Sequence, residues 1–294
     1  MKQHTFDQQM KEIFGGKVYR LSLSSGCSCP NRDGTCGTGG CIFCSAGGSG
    51  EFAAQSSLSI DAQIEEAKRK VAAKLSRNFA GYMAYFQSFS NTYGPVEKLK
   101  NLFSEALAHP EVLALSVATR PDCLPDEMIG MLSELNRQKP VWVELGLQTV
   151  HEDTAELIHR GYTLPVFEDA LRRLTAAGLR VVVHVIIGLP GEDAERTRDT
   201  VRYLASCAID GIKLQVLQVL KGTALAEMKK QDPEILHEYS LEEYALLLKE
   251  LLDILPEQVT VHRLTGDPPK KLLISPAWTA DKKRVLNTIR RFLE

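Results

Sequence analysis

Five of the chain's seven cysteines, Cys27, Cys29, Cys36, Cys41 and Cys44, fall within Gly26 to Ser45, which reads G-C-S-C-P-N-R-D-G-T-C-G-T-G-G-C-I-F-C-S. Cys41 and Cys44 form a C-x-x-C pair whose thiolates can turn toward one centre, in a glycine-rich loop that lets the backbone curl past it. These are the residue types of a metal loop. A structural zinc ion takes four closed ligands, usually as two separated C-x-x-C pairs; here Cys27 and Cys29 make a poor pair and no second C-x-x-C exists. An iron–sulfur cubane that performs chemistry leaves one iron open, so three cysteines suffice for it. Spacing alone leaves the third ligand open among Cys27, Cys29 and Cys36.

Such a loop needs a scaffold. Lys17 to Leu23 alternates apolar with polar residues as a strand does and leads into the cysteines. A helix follows with Ile64, Ala67, Val71 and Leu75 on one face, then a strand over 81–89. The next helix begins near Pro95 and carries Val96, Leu99, Phe103 and Leu107 at helical spacing. The alternation continues with strands over 112–119, 141–149, 180–187, 211–220 and 259–264, separated by helical stretches. One of these is capped by Ser240 with Glu243, and a last helix runs over 281–293. Apolar strands in β-α-β order predict a mainly parallel sheet, curled into a full or partial barrel with its site at the carboxyl ends of the strands. The cysteine loop, 87–92, 119–122, Gln148, 188–192 and 221–223 all lie at or just past such an end.

With the loop placed after a first barrel strand, its residues resemble the radical S-adenosylmethionine (SAM) superfamily. The likeness is to the branch in which G-x-x-C-P-N-R-D-G precedes G-G-C-x-F-C, with eleven residues between the first ligand and the pair. The resemblance implies an α/β fold, a partial (β/α)6-type TIM barrel spanning about residues 15–265, with a C-terminal extension over about 266–294 of one domain. It implies Cys29, Cys41 and Cys44 as ligands of a [4Fe-4S] cluster, with Cys27 and Cys36 at positions where relatives vary. It further implies SAM contacts: Phe43 covering the cluster or adenine, Gln87, Ser88 and Ser90 near the methionine amino group, and Gln148 on the ribose. Arg160 would pair with the methionine carboxylate, His184 face the ribose, and Gly188 with Pro190 pack on adenine. Ala118 departs from relatives that carry a ribose-binding glutamate ahead of T-R-P-D. The chemistry implied is cleavage of SAM to a 5′-deoxyadenosyl radical that abstracts hydrogen from substrate.

F-C-S-A-G-G-S-G-E-F-A, A-Y-F-Q-S-F-S-N-T, S-V-A-T-R-P-D-C-L-P and V-H-R-L-T-G-D are most similar to the YtqA/YhcC-type (MnmL-like) subgroup, related to the Elongator catalytic subunit. That resemblance implies tRNA as substrate, in the step from carboxymethylaminomethyl- to aminomethyl-2-thiouridine at the wobble position. It also implies a reductant such as flavodoxin or ferredoxin and a tRNA methyltransferase of the same route. Two rival readings are a radical SAM enzyme acting on a free metabolite or peptide, and a non-enzymatic zinc or RNA-binding module.

Glu144 lies in an apolar strand, where a carboxylate must face a polar mouth or be paired; a functional carboxylate and a structural ion pair are both open. Arg120 and Asp122 bracket a substrate or fix a loop. Lys213, Lys221, His262, Arg263 and Asp267 gather near the last strand ends as candidates for substrate recognition, with Glu144, His262 and Arg263 as the catalytic candidates. A net charge of -2 gives no global attraction to nucleic acid, but the basic excess of 270–291 offers a local one. The polar, charged segment Met1 to Phe14 reads as no signal peptide, and no stretch approaches the ~20 apolar residues of a membrane span, so a cytoplasmic protein with reduced thiols is expected.

Overall fold

In the computed structural model, which describes residues 3–48 and 50–294, the expected apolar runs pair side by side. The strands in chain order are β1 (Lys17–Leu23), β2 (Phe79–Phe86), β3 (Val112–Thr119), β4 (Val141–Gln148), β5 (Arg180–Ile187), β6 (Gly211–Val216), β7 (Val219–Leu220), β8 (Thr260–Arg263) and β9 (Leu273–Ser275). The helices are α1 (Phe6–Phe14), α2 (Ile60–Val71), α3 (Val96–Ala108), α4 (Asp126–Asn136), α5 (Glu152–Leu157), α6 (Leu164–Ala176), α7 (Ala194–Ala205), α8 (Ala224–Gln231), α9 (Leu241–Ile254) and α10 (Lys282–Leu293). One sheet runs β1-β2-β3-β4-β5-β6-β8 with every pair parallel. It curls into a partial barrel, and among the described residues β1 and β8 do not pair, which leaves a lateral opening between them.

The two-residue period of each strand sorts side chains onto two faces. Leu21 and Leu23, Tyr82 and Phe86, Leu115 and Val117, and Val181 and Val183 join the helices in the main core. The alternate residues fill the barrel in layers. Val18, Met83, Ala114, Trp142 and Val182 make an apolar floor, sealed by Met10 of α1. Above it the layer turns polar, with Arg20, Tyr85, Ser116, Glu144, His184 and Lys213 at the next inward positions.

Helix α1 was not expected from the polar N-terminal segment. It is set by a capping box between Thr5 and Gln8 and ended by Gly15 at φ 74°. Thr5 bridges Val261 in parallel, and Gln3 donates to the carbonyls of Leu252 and Leu255, so the segment closes the bottom of the barrel. The strand expected over 211–220 is two: β6 stays in the barrel, while β7 pairs antiparallel with β9. The other sequence-derived strands lie within a few residues of their expected positions.

Candidate active site

The cysteine loop leaves β1 and crosses the mouth of the barrel. The Cys44 amide donates to Cys41 O at 2.9 Å, so the C-x-x-C pair occupies a single turn. Ile42 on that turn binds in both directions, its amide to Ile158 O and its carbonyl to the Leu225 amide, at 3.1 and 2.9 Å. Asn31 pins the loop from inside: its Nδ2 donates to His159 O at 2.6 Å and to Cys41 Sγ at 3.6 Å. Arg32 donates to Cys44 O and Ser45 O and lies over the Phe89 ring. Gly50 presses on Ser88 so closely that a Cβ there would stand 2.8 Å from Ser88 Cα.

Among the described residues, three other than glycine adopt left-handed backbone: Phe89 (φ 57°), Gln148 (φ 66°) and His159 (φ 54°). All three border this mouth, after β2, at the end of β4, and beside Asn31. Backbone strain of this kind persists only where surrounding contacts over-determine it, and it concentrates at functional sites.

Cys44 stands near enough to act electrostatically on both Cys29 and Cys41, and Cys29 on Cys41. Burial pushes the Cys41 thiol up to about 12 and raises Cys29 as well. Among the described residues, no three His, Cys, Asp or Glu side chains are drawn round one point as a single metal ion requires. Ligands of a cubane each bind a different iron and stand further apart than ligands of one zinc ion. Two thiols on one pinned turn, with Cys41 already accepting an N–H···S contact and Cys29 nearby, fit the spread donor set of such a cluster. Cys36 is exposed and lies 3.6 Å from the Arg120 guanidinium, while Cys27 packs into the main core beside Gly94.

Next to this turn a cavity of about 990 Å³ descends between β1 and β8. Phe43 and Gln87 line it, as do Arg20, Lys213, Gln215 and Arg263. At its base Glu144, 1% exposed, binds the Lys213 ammonium, receives Ser116 Oγ at 2.7 Å and meets His184 Nε2 at 2.7 Å. Burial opposes ionisation of Glu144, yet Lys213, His184 and Arg20 together hold its carboxyl well below the usual range. Burial likewise lowers Lys213, to about 7, against the pull of Glu144. His184 is lowered by burial and by Lys213, and His262 is lowered well below its ordinary value by burial and by Arg20. Lys213 Nζ also donates to Tyr85 Oη at 3.0 Å.

The remaining candidates are placed variously. Arg160 is 1% exposed and its guanidinium donates to Tyr162 O, Leu147 O, Thr149 O and Glu152, so the expected methionine carboxylate would have to displace partners within the chain. Ser90 is fully buried; its Oγ meets Thr119 Oγ1 and accepts from the Arg120 amide, and its own amide donates to Ser28 O, so the segment after β2 links the end of β3 to the cysteine loop. Ser88 is 6% exposed. The Gln148 Oε1 accepts from Tyr162 Oη at 3.2 Å. Gly188, at φ 88°, packs beneath the Tyr239 ring. His262 stands behind Arg20 rather than in the cavity, 7% exposed. Arg120 forks onto Asp122 and reaches Arg160 O, so the pair fixes a loop. Arg20, Tyr85 and Ser116, which sequence reasoning passed over, complete the polar layer, and the alternation of K-V-Y-R-L-S-L already turned Arg20 inward with Val18.

Comparison with known proteins bears on this geometry. The sequence model described as Radical SAM superfamily matches residues 31–204, and the Radical_SAM C-terminal domain matches 209–294. The chain is 42% identical over 291 residues to the uncharacterized protein YtqA of Bacillus subtilis, covering 99% of this chain and 89% of that one. It is 34% identical over 289 residues to protein YhcC of Escherichia coli, covering 98% and 91%. It is also 28% identical over 170 residues to a Methanocaldococcus jannaschii tRNA uridine(34) acetyltransferase, covering 57% of this chain and 30% of that protein. The solved structure of Methanocaldococcus infernus Elp3 with an N-terminal deletion shares the fold, with a TM-score of 0.68 at 18% identity over 93% of this chain and 63% of that one.

Proposed function

This chain belongs to the radical SAM superfamily, and from that premise we propose that it acts on the wobble uridine of tRNA, helping to convert a carboxymethylaminomethyl group to aminomethyl. It is a radical SAM enzyme, and its cofactors are a [4Fe-4S] cluster and SAM. When bound, these supply a 5′-deoxyadenosyl radical that takes a hydrogen atom from substrate. In our reading Cys29, Cys41 and Cys44 hold the cluster, and Asn31 and Arg32 keep their turn facing the barrel. Phe43 and Gln87 border the space beside it, and the side chains of β1, β6 and β8 receive the substrate.

The observation that carries the tRNA reading is the charge of the cavity. Arg20, Lys213 and Arg263 lie inside it and Lys70, Lys74, Lys270 and Lys282 surround its opening, against Glu51 and Asp267 as its acidic residues. A chain of net charge -2 has concentrated cations where a polyanion bearing a carboxylated base would enter. Similarity to a protein named for tRNA uridine(34) agrees with it. Electrons would come from a flavodoxin or ferredoxin, and a methyltransferase would act on the aminomethyl product.

Mass spectrometry of tRNA nucleosides from a strain lacking the protein tests the proposal. We expect carboxymethylaminomethyluridine to accumulate and its aminomethyl descendants to disappear. Unchanged wobble uridines would overturn the tRNA substrate, while 5′-deoxyadenosine release by the reduced holoenzyme would still report radical chemistry.

A further inference from the structure

Arg20 is a half-buried cation whose guanidinium contacts no carboxylate, although the charge of Glu144 reaches it through space. Among the described residues no carboxylate lies within ion-pair reach of its guanidinium. Its terminal nitrogen donates to His262 Nδ1 at 2.9 Å, its plane lies 3.7 Å from the Phe6 ring centroid, and its Nε is buried with no acceptor. Because Arg20 must donate, His262 Nδ1 must accept, which leaves the proton on His262 Nε2, itself buried without a partner. The groups facing Arg20 offset its charge only in part. Glu144 is already engaged by Lys213, His184 and Ser116, Arg263 adds repulsion, Tyr85 is held neutral by burial, and Asp267 sits toward the rim with Lys282. The same guanidinium lines the cavity below the cysteine turn.

An unpaired cation with an orphaned donor costs stability, and a fold retains it where a ligand completes the pair. We propose that Arg20 is an anion-binding residue that seats one negatively charged group of the substrate at the base of the cavity. His262 and Phe6 orient its guanidinium, and Lys213 stands beside it. Recognition of this kind is the strength of guanidinium, which presents a planar fork to a carboxylate or a phosphate oxygen. That the anion is the carboxylate of a carboxymethylaminomethyl group rests on the function proposed above; the anion site itself does not.

The test has two arms, both on the cluster-loaded protein. The first uses small anions at fixed ionic strength, with chloride as reference. Acetate or inorganic phosphate should raise the melting temperature of the wild type by about 2 °C or more and leave Arg20→Gln unmoved. A larger effect of acetate assigns the site to a carboxylate, and a larger effect of phosphate assigns it to a phosphate. Equal melting in all three salts would overturn the site. In reference salt, Arg20→Met, which keeps the packing on Phe6 but removes the charge, should melt at or above wild type; a fall of several degrees would make Arg20 structural and sink the proposal.

The second arm compares anticodon stem-loops carrying carboxymethylaminomethyluridine or aminomethyluridine. Wild type should bind the first at least tenfold more tightly, Arg20→Gln should bind both alike, and Arg20→Lys should keep part of the preference. Retained preference in Arg20→Gln, or equal weakening toward both, would overturn the carboxylate assignment. If neither stem-loop binds, the tRNA reading fails while the small-anion arm still decides the site.

Discussion

At the scale of single residues, the question left open by the sequence was whether Glu144 serves chemistry or structure. The geometry shows it as the counter-ion of the barrel interior, with Lys213, His184 and Ser116 all on its two oxygens. Removing one member of such a buried pair strands the other. Glu144→Gln is expected to cost about 3–5 kcal/mol, and Lys213→Met a comparable amount, while the double variant should cost much less than their sum. Urea unfolding of the four proteins measures this; additive losses would mean the pair is not coupled. Lys213 also gives stability a pH dependence. It faces Glu144, Tyr85, His184, Arg20 and Arg263, and burial sets its folded value to about 7, below the ordinary ~10.4 of the unfolded chain. Between about pH 10 and 7 the unfolded chain takes up a proton that the folded chain refuses, so stability falls as pH falls; below about 7 both forms are protonated and the loss is complete. The urea midpoint should drop across that window in wild type and stay flatter in the Glu144→Gln/Lys213→Met variant. A flat wild-type profile would contradict the environment assigned to Lys213.

At the scale of elements, helix α1 forms the floor on which the polar layer rests. Met10 is fully buried among Val18, Met83, Ala114, Trp142 and Val182, so Met10→Ala should cost about 2–5 kcal/mol, read as a lowered urea midpoint with unchanged slope. A cost below 1 kcal/mol would mean α1 is not the floor described. This helix also shows where the sequence stops being legible. The barrel strands carry long apolar runs, and β1 to β5 and β8 were found nearly in place because parallel strands are covered on both faces. Helix α1 offers one fully buried methionine flanked by the partly buried Phe6 and Phe14, with polar residues between, and its Thr5–Gln8 capping box is a short signal. β7 could not be separated from β6 because Leu217 and Val219 continue the apolar run, and its pairing with β9 is made by residues some fifty positions away, which no local pattern encodes. The cysteine loop stood out in sequence because its C-x-x-C spacing and glycines fix residue type and spacing together, and the structure places that pair on one turn at the barrel mouth. The fates of Arg160 and Ser90 were not legible, since an arginine spent on backbone carbonyls and one offered to a ligand look the same in sequence.

At the scale of the molecule, charge is distributed against its own balance. The chain carries net charge -2, yet the lateral opening between β1 and β8 is bordered by Lys70 and Lys74 on one side and Lys270 and Lys282 on the other. Lys70 is paired with Glu66 and Lys282 with Asp267, whereas Lys74 and Lys270 have no acidic partner among the described residues. The basic residues of the last helical turn, Arg290 and Arg291, lie at the other end of α10, which packs on α9 away from this opening. If an RNA enters at the opening, the two unpaired lysines release counterions when it binds, at about 0.7 per phosphate contact for a single strand. Lys74→Ala/Lys270→Ala should then weaken stem-loop binding and reduce the slope of log affinity against log salt by about 1.4. Arg290→Ala/Arg291→Ala should leave both unchanged. Titrations at several salt concentrations distinguish the two surfaces: an altered slope in the second variant alone would move the RNA to α10, and with it the side from which the proposed substrate would approach the cysteine turn.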